Sequence, residues 1–142
     1  MISFDTNIVV HSANTDSPEH PRAREFMFEL ARSEEVIVCE LMLFEVFLKL
    51  CNAKIFPQPL SPKAAGAYCQ RLRMNRNWRV VESAPVMDKV WKATRHRNFA
   101  FRRIIDLRLG LTLRHHGVKR FATTNTKDFR GLGFEEVWNP LK

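Results

Sequence analysis

Thiols are few in this sequence, long apolar runs are missing, and the glycine-rich signatures of several large enzyme classes are absent. Cys39, Cys51 and Cys69 are an odd number, spaced too widely for a CxxC metal knuckle. Buried, reduced thiols are the expectation, and with them a cytoplasmic protein. No apolar run reaches the length of about 18 residues that a membrane helix needs. No basic segment precedes an apolar one near the start, so no signal peptide is expected. GxxxxGK[ST], GxGxxG and GxSxG are all lacking, which disfavours P-loop, dinucleotide-binding and α/β-hydrolase chemistry. The five histidines fall in no metal-ligand spacing; His115-His116 sits beside an expected helix end, and His11 reads as structural or exposed. There is no internal repeat and no low-complexity tract.

What is present is the composition of one globular domain spanning residues 1–142, with 45% hydrophobic and 11% aromatic residues. The net charge of +8 is unevenly spread. Residues 1–60 hold five Lys/Arg against nine Asp/Glu, and residues 61–142 hold eighteen against six. An acidic first part and a strongly basic second part point to an anionic partner, nucleic acid first; the alternative is a solvated basic face.

The opening Met1-Ile2-Ser3-Phe4-Asp5-Thr6-Asn7-Ile8 is an apolar run interrupted by polar residues with no glycine or proline. It predicts a buried strand over Ile2–Phe4 and a helix over Thr6–Ala13, with Asp5 at the strand's carboxyl end. In open α/β sheets ligands bind above such ends; a plain helix cap is the other reading of Asp5. Further helices are expected from Pro18 to Arg32, with Pro18 at the first helical position, and over Glu40–Cys51, Ser61–Arg73, Ser83 to about Arg97, and Phe101–His116 closed by Gly117. Strands are expected at Val36–Val38, Trp78–Glu82 and Val118–Thr124, with a short edge strand at Phe134–Trp138. This alternation predicts parallel βαβ units and a helix–sheet–helix sandwich.

Four acids stand out against this frame. Glu45 lies within Glu40–Cys51, a helix apolar nearly all round and so expected to be deeply buried. A carboxylate there needs a partner: a metal or polar site, or an i,i+4 pair with Lys49. Asp106 lies in the last long helix among leucines and isoleucines, where Arg102 could pair with it at i,i+4. Asp128 follows the fourth strand, the same topological address as Asp5, or else is a turn aspartate. Converging carboxylates repel one another, and hard oxygen donors with few thiols suit Mg2+ or Mn2+. Such ions activate water for phosphodiester hydrolysis. Arg95, Arg97, Arg102 and Arg103 cluster before Asp106 around Phe99 and Phe101, arginines that could fork onto nucleic-acid phosphates. The two phenylalanines read better as core.

Ser3-Phe4-Asp5-Thr6-Asn7-Ile8, Glu45 in the helix after the second strand, Asp106, and Thr123-Thr124-Asn125-Thr126-Lys127-Asp128-Phe129 together resemble the PIN domain, most closely the VapC-type toxin ribonucleases. The likeness runs through Gly131-Leu132-Gly133 to Trp138-Asn139-Pro140. It implies a three-layer α/β/α sandwich around a central, mostly parallel sheet of four to five strands. It also implies Mg2+- or Mn2+-dependent cleavage of RNA, a cognate antitoxin that blocks the site, and a homodimer. By position Asp5, Glu45, Asp106 and Asp128 match the acidic quartet, with Asn7, Thr123 and Asn125 close by. Glu40, at its helix start, is the weaker alternative to Glu45. Two departures stand out: Asn125 replaces the more usual aspartate, leaving Asp128 as the fourth acid, and Leu107-Arg108-Leu109-Gly110-Leu111 is bulkier than the family's usual run. The leading expectation is a metal-dependent endoribonuclease toxin. A structure-specific DNA nuclease on the same site, or a catalytically silent nucleic-acid- or partner-binding module, are the alternatives.

Overall fold

The computed structural model describes residues 1–142. Five short strands are β1 (Ile2–Phe4), β2 (Ile37–Cys39), β3 (Arg79–Val81), β4 (Arg120–Ala122) and β5 (Glu136–Trp138). All pair in parallel: β1 with β4, β4 with β5, and β2 with β3. A single bridge, Ile2 to Val36, joins the two sets, so the strands run in the order β3-β2-β1-β4-β5. Parallel neighbours need crossover connections, and helices supply them. These are α1 (Thr6–Ala13), α2 (His20–Ala31), α3 (Glu40–Leu50), α4 (Pro62–Arg73), α5 (Met87–Ala93), α6 (Ile104–His115) and α7 (Thr126–Phe129). Helices α1 to α4 pack on one another in one group, while α6 packs on α5 and α7 in another. The expected α/β/α layering with a parallel sheet is what the chain adopts.

The core forms where the sheet meets these helices. Phe4, Ile8, Ile37, Met42, Leu50, Leu109, Leu113, Phe121 and Phe129 are fully buried, each worth roughly 1.5–3 kcal/mol relative to exposure. The Phe4 ring lies 5.3 Å from that of Trp78, whose indole N–H donates to the Leu30 carbonyl at 2.7 Å. A smaller cluster of Val86, Val90 and Leu107 seats α5 against α6. None of the helices is long and apolar enough to cross a membrane, and the three cysteines are free.

Several boundaries differ from expectation. Helix α2 begins at His20, not Pro18, because residues before it are spent on turns: Ser17 and His20 donate their N–H groups to the carbonyls of Asn14 and Ser17. The proline in its first turn is Pro21. Helix α5 stops at Ala93, short of Arg97, where Arg95 and His96 bond back three residues in a tightening turn. The last long helix opens with a 3-10 turn at Phe101–Arg103 before α6 proper. Helix α7, four residues long, carries no apolar period that would reveal it. Strand β4 is shorter than Val118–Thr124, and β2 lies one residue later than Val36–Val38. Helix α3 is not buried all round: Phe44 and Leu48 are 66% and 65% exposed. Apolar composition permits burial on every face, but neighbours exist only on some.

Candidate metal centre

Register creates the centre of the site. Phe4 pairs with Ala122, so the next residues, Asp5 and Thr123, emerge side by side at the carboxyl end of the sheet. The Asp5 N–H donates to the Ala122 carbonyl at 2.8 Å, which fixes the exit of the strand. Asp5 then serves as N-cap of α1, one carboxylate oxygen accepting the Thr6 N–H at 2.7 Å. Its other oxygen accepts from the Thr123 hydroxyl at 2.8 Å. Asp5 thus caps α1 through one oxygen while the other is held by Thr123, so the capping reading does not exclude the other one. Asp5 is only 5% exposed. Burial raises its pKa; the Thr123 hydroxyl, Lys49 and the Thr6 N–H oppose that, and Asp128 adds to it.

Glu45 lies midway along α3, half-buried. Its Oε1 is sealed from solvent with no hydrogen-bond partner, and so is the Thr6 hydroxyl. That hydroxyl lies near enough to ease the Glu45 charge but falls short of bonding it. Burial first, then Asp106 and Asp5, raise the Glu45 pKa. The i,i+4 pair with Lys49 does not form; Lys49 Nζ instead donates to Asn7 Oδ1 at 2.7 Å. Glu40, the weaker alternative, is held by Arg73.

Asp106 sits in the first turn of α6. Burial, then Asp5 and Asp128, push its pKa up to about 6 against the pull of Lys49 and Arg103. Arg102 does not pair with it; the Arg102 guanidinium lies over the exposed Phe101 ring, 5.7 Å from its centroid. Asp128 stands in the single turn of α7. Its carboxylate accepts from the Asn125 side-chain amide, lies 3.5 Å from Arg103 Nε, and its backbone carbonyl accepts from Arg103 Nη2 at 2.7 Å. The Asn125 N–H donates to the Thr123 hydroxyl at 2.9 Å, so one short chain of bonds runs from Asp128 through Asn125 and Thr123 to Asp5.

The four acids therefore gather at the crevice outside the carboxyl ends of the strands, where Asp5 acts on Glu45 and Asp106, and Asp128 acts on Asp5 and Asp106. No trio of them is drawn together as a ready-made cage. The donor set is nonetheless of the kind a hard divalent cation takes: carboxylate oxygens, one of them sealed and unpartnered, whose mutual repulsion Lys49 and Arg103 ease only in part. A hollow of about 840 Å3 lies elsewhere, between the end of α1 and α4, and touches none of the four.

The residues singled out around the acids divide. Asn7, Thr123 and Asn125 all bond within the cluster. Arg95, Arg97 and Arg102 are exposed, whereas Arg103 is tied to Asp128 and is not a free surface cation. Phe99 packs against the small cluster, but Phe101 is 78% exposed, against the expectation that both are core. Reasoning from sequence gave Lys49 only as a helix partner for Glu45 and gave Thr6 no place beside the acids. A lysine four residues after Glu45, in an otherwise apolar helix, was the available signal.

A family model of the PIN domain matches residues 2–135. The chain is 45% identical over 141 residues to Ribonuclease VapC24 of Mycobacterium tuberculosis, covering 99% of this chain and 97% of that protein. Among solved structures it resembles Mycobacterium tuberculosis VapC20, described as a sarcin–ricin-loop-cleaving toxin, with TM-score 0.59 at 14% identity over 85% and 87% of the two chains. It also resembles FitAcB from Neisseria gonorrhoeae, with TM-score 0.65 at 19% identity over 99% and 98%. A third likeness is to FitAB bound to a DNA fragment, with TM-score 0.66 at 18% identity over 100% and 96%.

Proposed function

The chain belongs to the PIN-domain family, among its VapC-like members, and from that premise we propose that it is a metal-dependent endoribonuclease acting as the toxin of a toxin–antitoxin pair. The observation that carries the chemistry is the convergence of Asp5, Glu45, Asp106 and Asp128 from four separate elements, with Glu45 Oε1 sealed and unpartnered. These four would hold Mg2+ or Mn2+. Bound there, such an ion supplies a more acidic water and neutralises charge on the phosphodiester.

The protein's own groups do the rest. Thr123 and the Thr6 N–H orient the two oxygens of Asp5, and Asn125 with Arg103 holds Asp128. Partial burial of the crevice strengthens every charge interaction inside it. Arg95, Arg97 and Arg102 offer forked donors to RNA phosphates, and exposed Phe101 offers a face on which an unpaired base can stack.

Purified protein incubated with total RNA in Mg2+, Mn2+ or EDTA tests this, with Asp5→Asn alongside. Discrete fragments are expected, lost in EDTA and reduced at least about a hundredfold in the variant, in line with loss of a charge-stabilising group. Asp5→Asn is expected to keep its far-ultraviolet circular dichroism, because an amide oxygen can still accept from Thr123. Full activity in that variant would sink the reading.

The same reading includes a cognate antitoxin protein and a second copy of this chain. Exposed Phe44 and Leu48 supply apolar surface that a partner would cover. Sedimentation of the chain alone checks the second copy: a monomer at every concentration would remove it.

A further inference from the structure

The chain from Lys89 to Ile105 contains no acid. It runs from within α5 through the 3-10 turn at Phe101–Arg103 into α6, whose first turn carries Asp106. Lys89, Lys92, Arg95, Arg97 and Arg102 are exposed on it, and none of them enters an ion pair. Asp88, the one acid of α5, pairs with none of them either.

Two large rings stand on the same stretch. Trp91 is 56% exposed and Phe101 78%. Both have a firm base: Val90, beside Trp91, and Phe99, two residues before Phe101, pack in one small cluster with Val86 and Leu107. Phe101 comes little more than one helical turn before Asp106, with the Arg102 guanidinium over its ring. Apolar surface exposed in this way marks a binding face.

The charge around the rings decides what fits. A second copy meeting this face about a twofold axis would set these cations against their own counterparts, like charge on like charge. An acidic protein segment would answer the cations but not, by its charge, the rings. An unpaired RNA strand answers both, with a phosphate at each residue and a base whose face stacks on any aromatic ring. In a duplex those faces are already stacked on one another.

We propose that the surface from Lys89 to Arg102 is the path of an unpaired RNA strand, with Trp91 and Phe101 as the two rings on which its bases stack. The proposal rests on the ribonuclease reading above. It adds a second element, α5, that holds the strand, and it makes the substrate unpaired beyond the point of cleavage.

Titrating the full chain with an oligouridylate of about twelve residues, within the site sizes of single-strand binders, tests it. EDTA withholds the metal, so binding is read without cleavage. Tryptophan fluorescence is expected to be quenched as the strand binds, because Trp78 is buried and Trp91 is the exposed tryptophan. Trp91→Ala and Phe101→Ala are each expected to weaken binding at least about fivefold, the scale of one lost base–aromatic stack, with an unchanged salt slope. Trp91→Phe keeps a ring, so it should bind within about twofold of the wild type while losing the quench. Lys89→Ala with Lys92→Ala should instead lower the salt slope by about 1. Wild-type affinity in Trp91→Ala would overturn the path and leave the ribonuclease reading standing. A duplex bound as tightly as the single strand would also overturn it. Equal quenching by polyglutamate would overturn it in favour of an acidic protein segment. Self-association that Trp91→Ala abolishes, with RNA affinity unchanged, would overturn it in favour of a second copy. No RNA binding by the wild type would sink the RNA reading itself, and this path with it.

Discussion

Each acid of the crevice is held by a different device. Asp5 is buried yet bonded on both oxygens, Glu45 is half-buried with one oxygen sealed and unpartnered, Asp128 is half-exposed and gripped by an arginine, and Asp106 has burial and like charges against it. The cost falls most visibly on Asp106, whose pKa rises from 3.8 to about 6. Between those values the folded chain binds more protons than the unfolded one. This group's contribution is therefore most favourable at low pH and declines as pH rises through that window. Asp5 and Glu45 shift in the same direction. The metal-free protein should accordingly lose stability from pH 5 to pH 7.5, read as a falling urea midpoint. Asp106→Asn should recover on the order of 1 kcal/mol at pH 7.5, one pKa unit being worth about 1.4 kcal/mol and solvent screening of this half-buried group reducing the full shift. A midpoint that climbs over that interval in the wild type would contradict the repulsion described.

Elements position these residues through contacts far from the crevice. Asp5 and Thr123 meet because β1 and β4 are paired in register; Asp128 reaches them because α7 folds back on α6. Gly110 of α6 lies under that junction. A Cβ built there would come within 2.5 Å of Leu132 Cδ1 and close to the Phe129 and Phe134 rings. The bulky run Leu107–Leu111 is thus accommodated by one glycine where the neighbouring segment crosses closest: Leu107 and Leu109 are buried while Gly110 leaves the gap. Gly110→Val should cost about 1–3 kcal/mol by overpacking, measured by urea denaturation. Displacing Phe129 should also disturb Asp128, so cleavage should fall further than the lost stability explains. A variant as stable and active as the wild type would show that Leu132 moves aside freely.

At the scale of the whole molecule, charge is segregated. The acids that face the crevice come from both parts of the chain, but the excess of Lys and Arg lies in residues 61–142. Exposed Arg95, Arg97 and Arg102 sit within that part, next to the segment that delivers Asp106. Binding of single-stranded RNA to the Asp5→Asn variant, expected not to cut it, should weaken with salt. Replacing these three arginines by alanine should lower the slope of log affinity against log salt by about 2, since each phosphate contact to a single strand contributes roughly 0.7. An unchanged slope would move the RNA path elsewhere on the basic surface.

Much of this was legible from residue order. The alternation of apolar strands and amphipathic helices, Ser61-Pro62 opening a helix and Gly117 closing one are local signals, and local signals survive into the fold. The four acids were legible too, because a carboxylate in an apolar helix or just beyond a strand is conspicuous in one dimension. Pairings across the chain were not. Lys49 turned from Glu45 to Asn7, and Arg103 took Asp128 in place of a surface role, because the partner nearest in space lies 42 and 25 residues away along the chain. Phe44, Leu48 and Phe101 stayed exposed for the same reason: hydrophobicity records what a side chain can bury, and only the packed neighbours decide whether it does. The sequence alone determined which groups could meet at the end of the sheet. Strand register and helix packing decided which of them do, and with what charge left over.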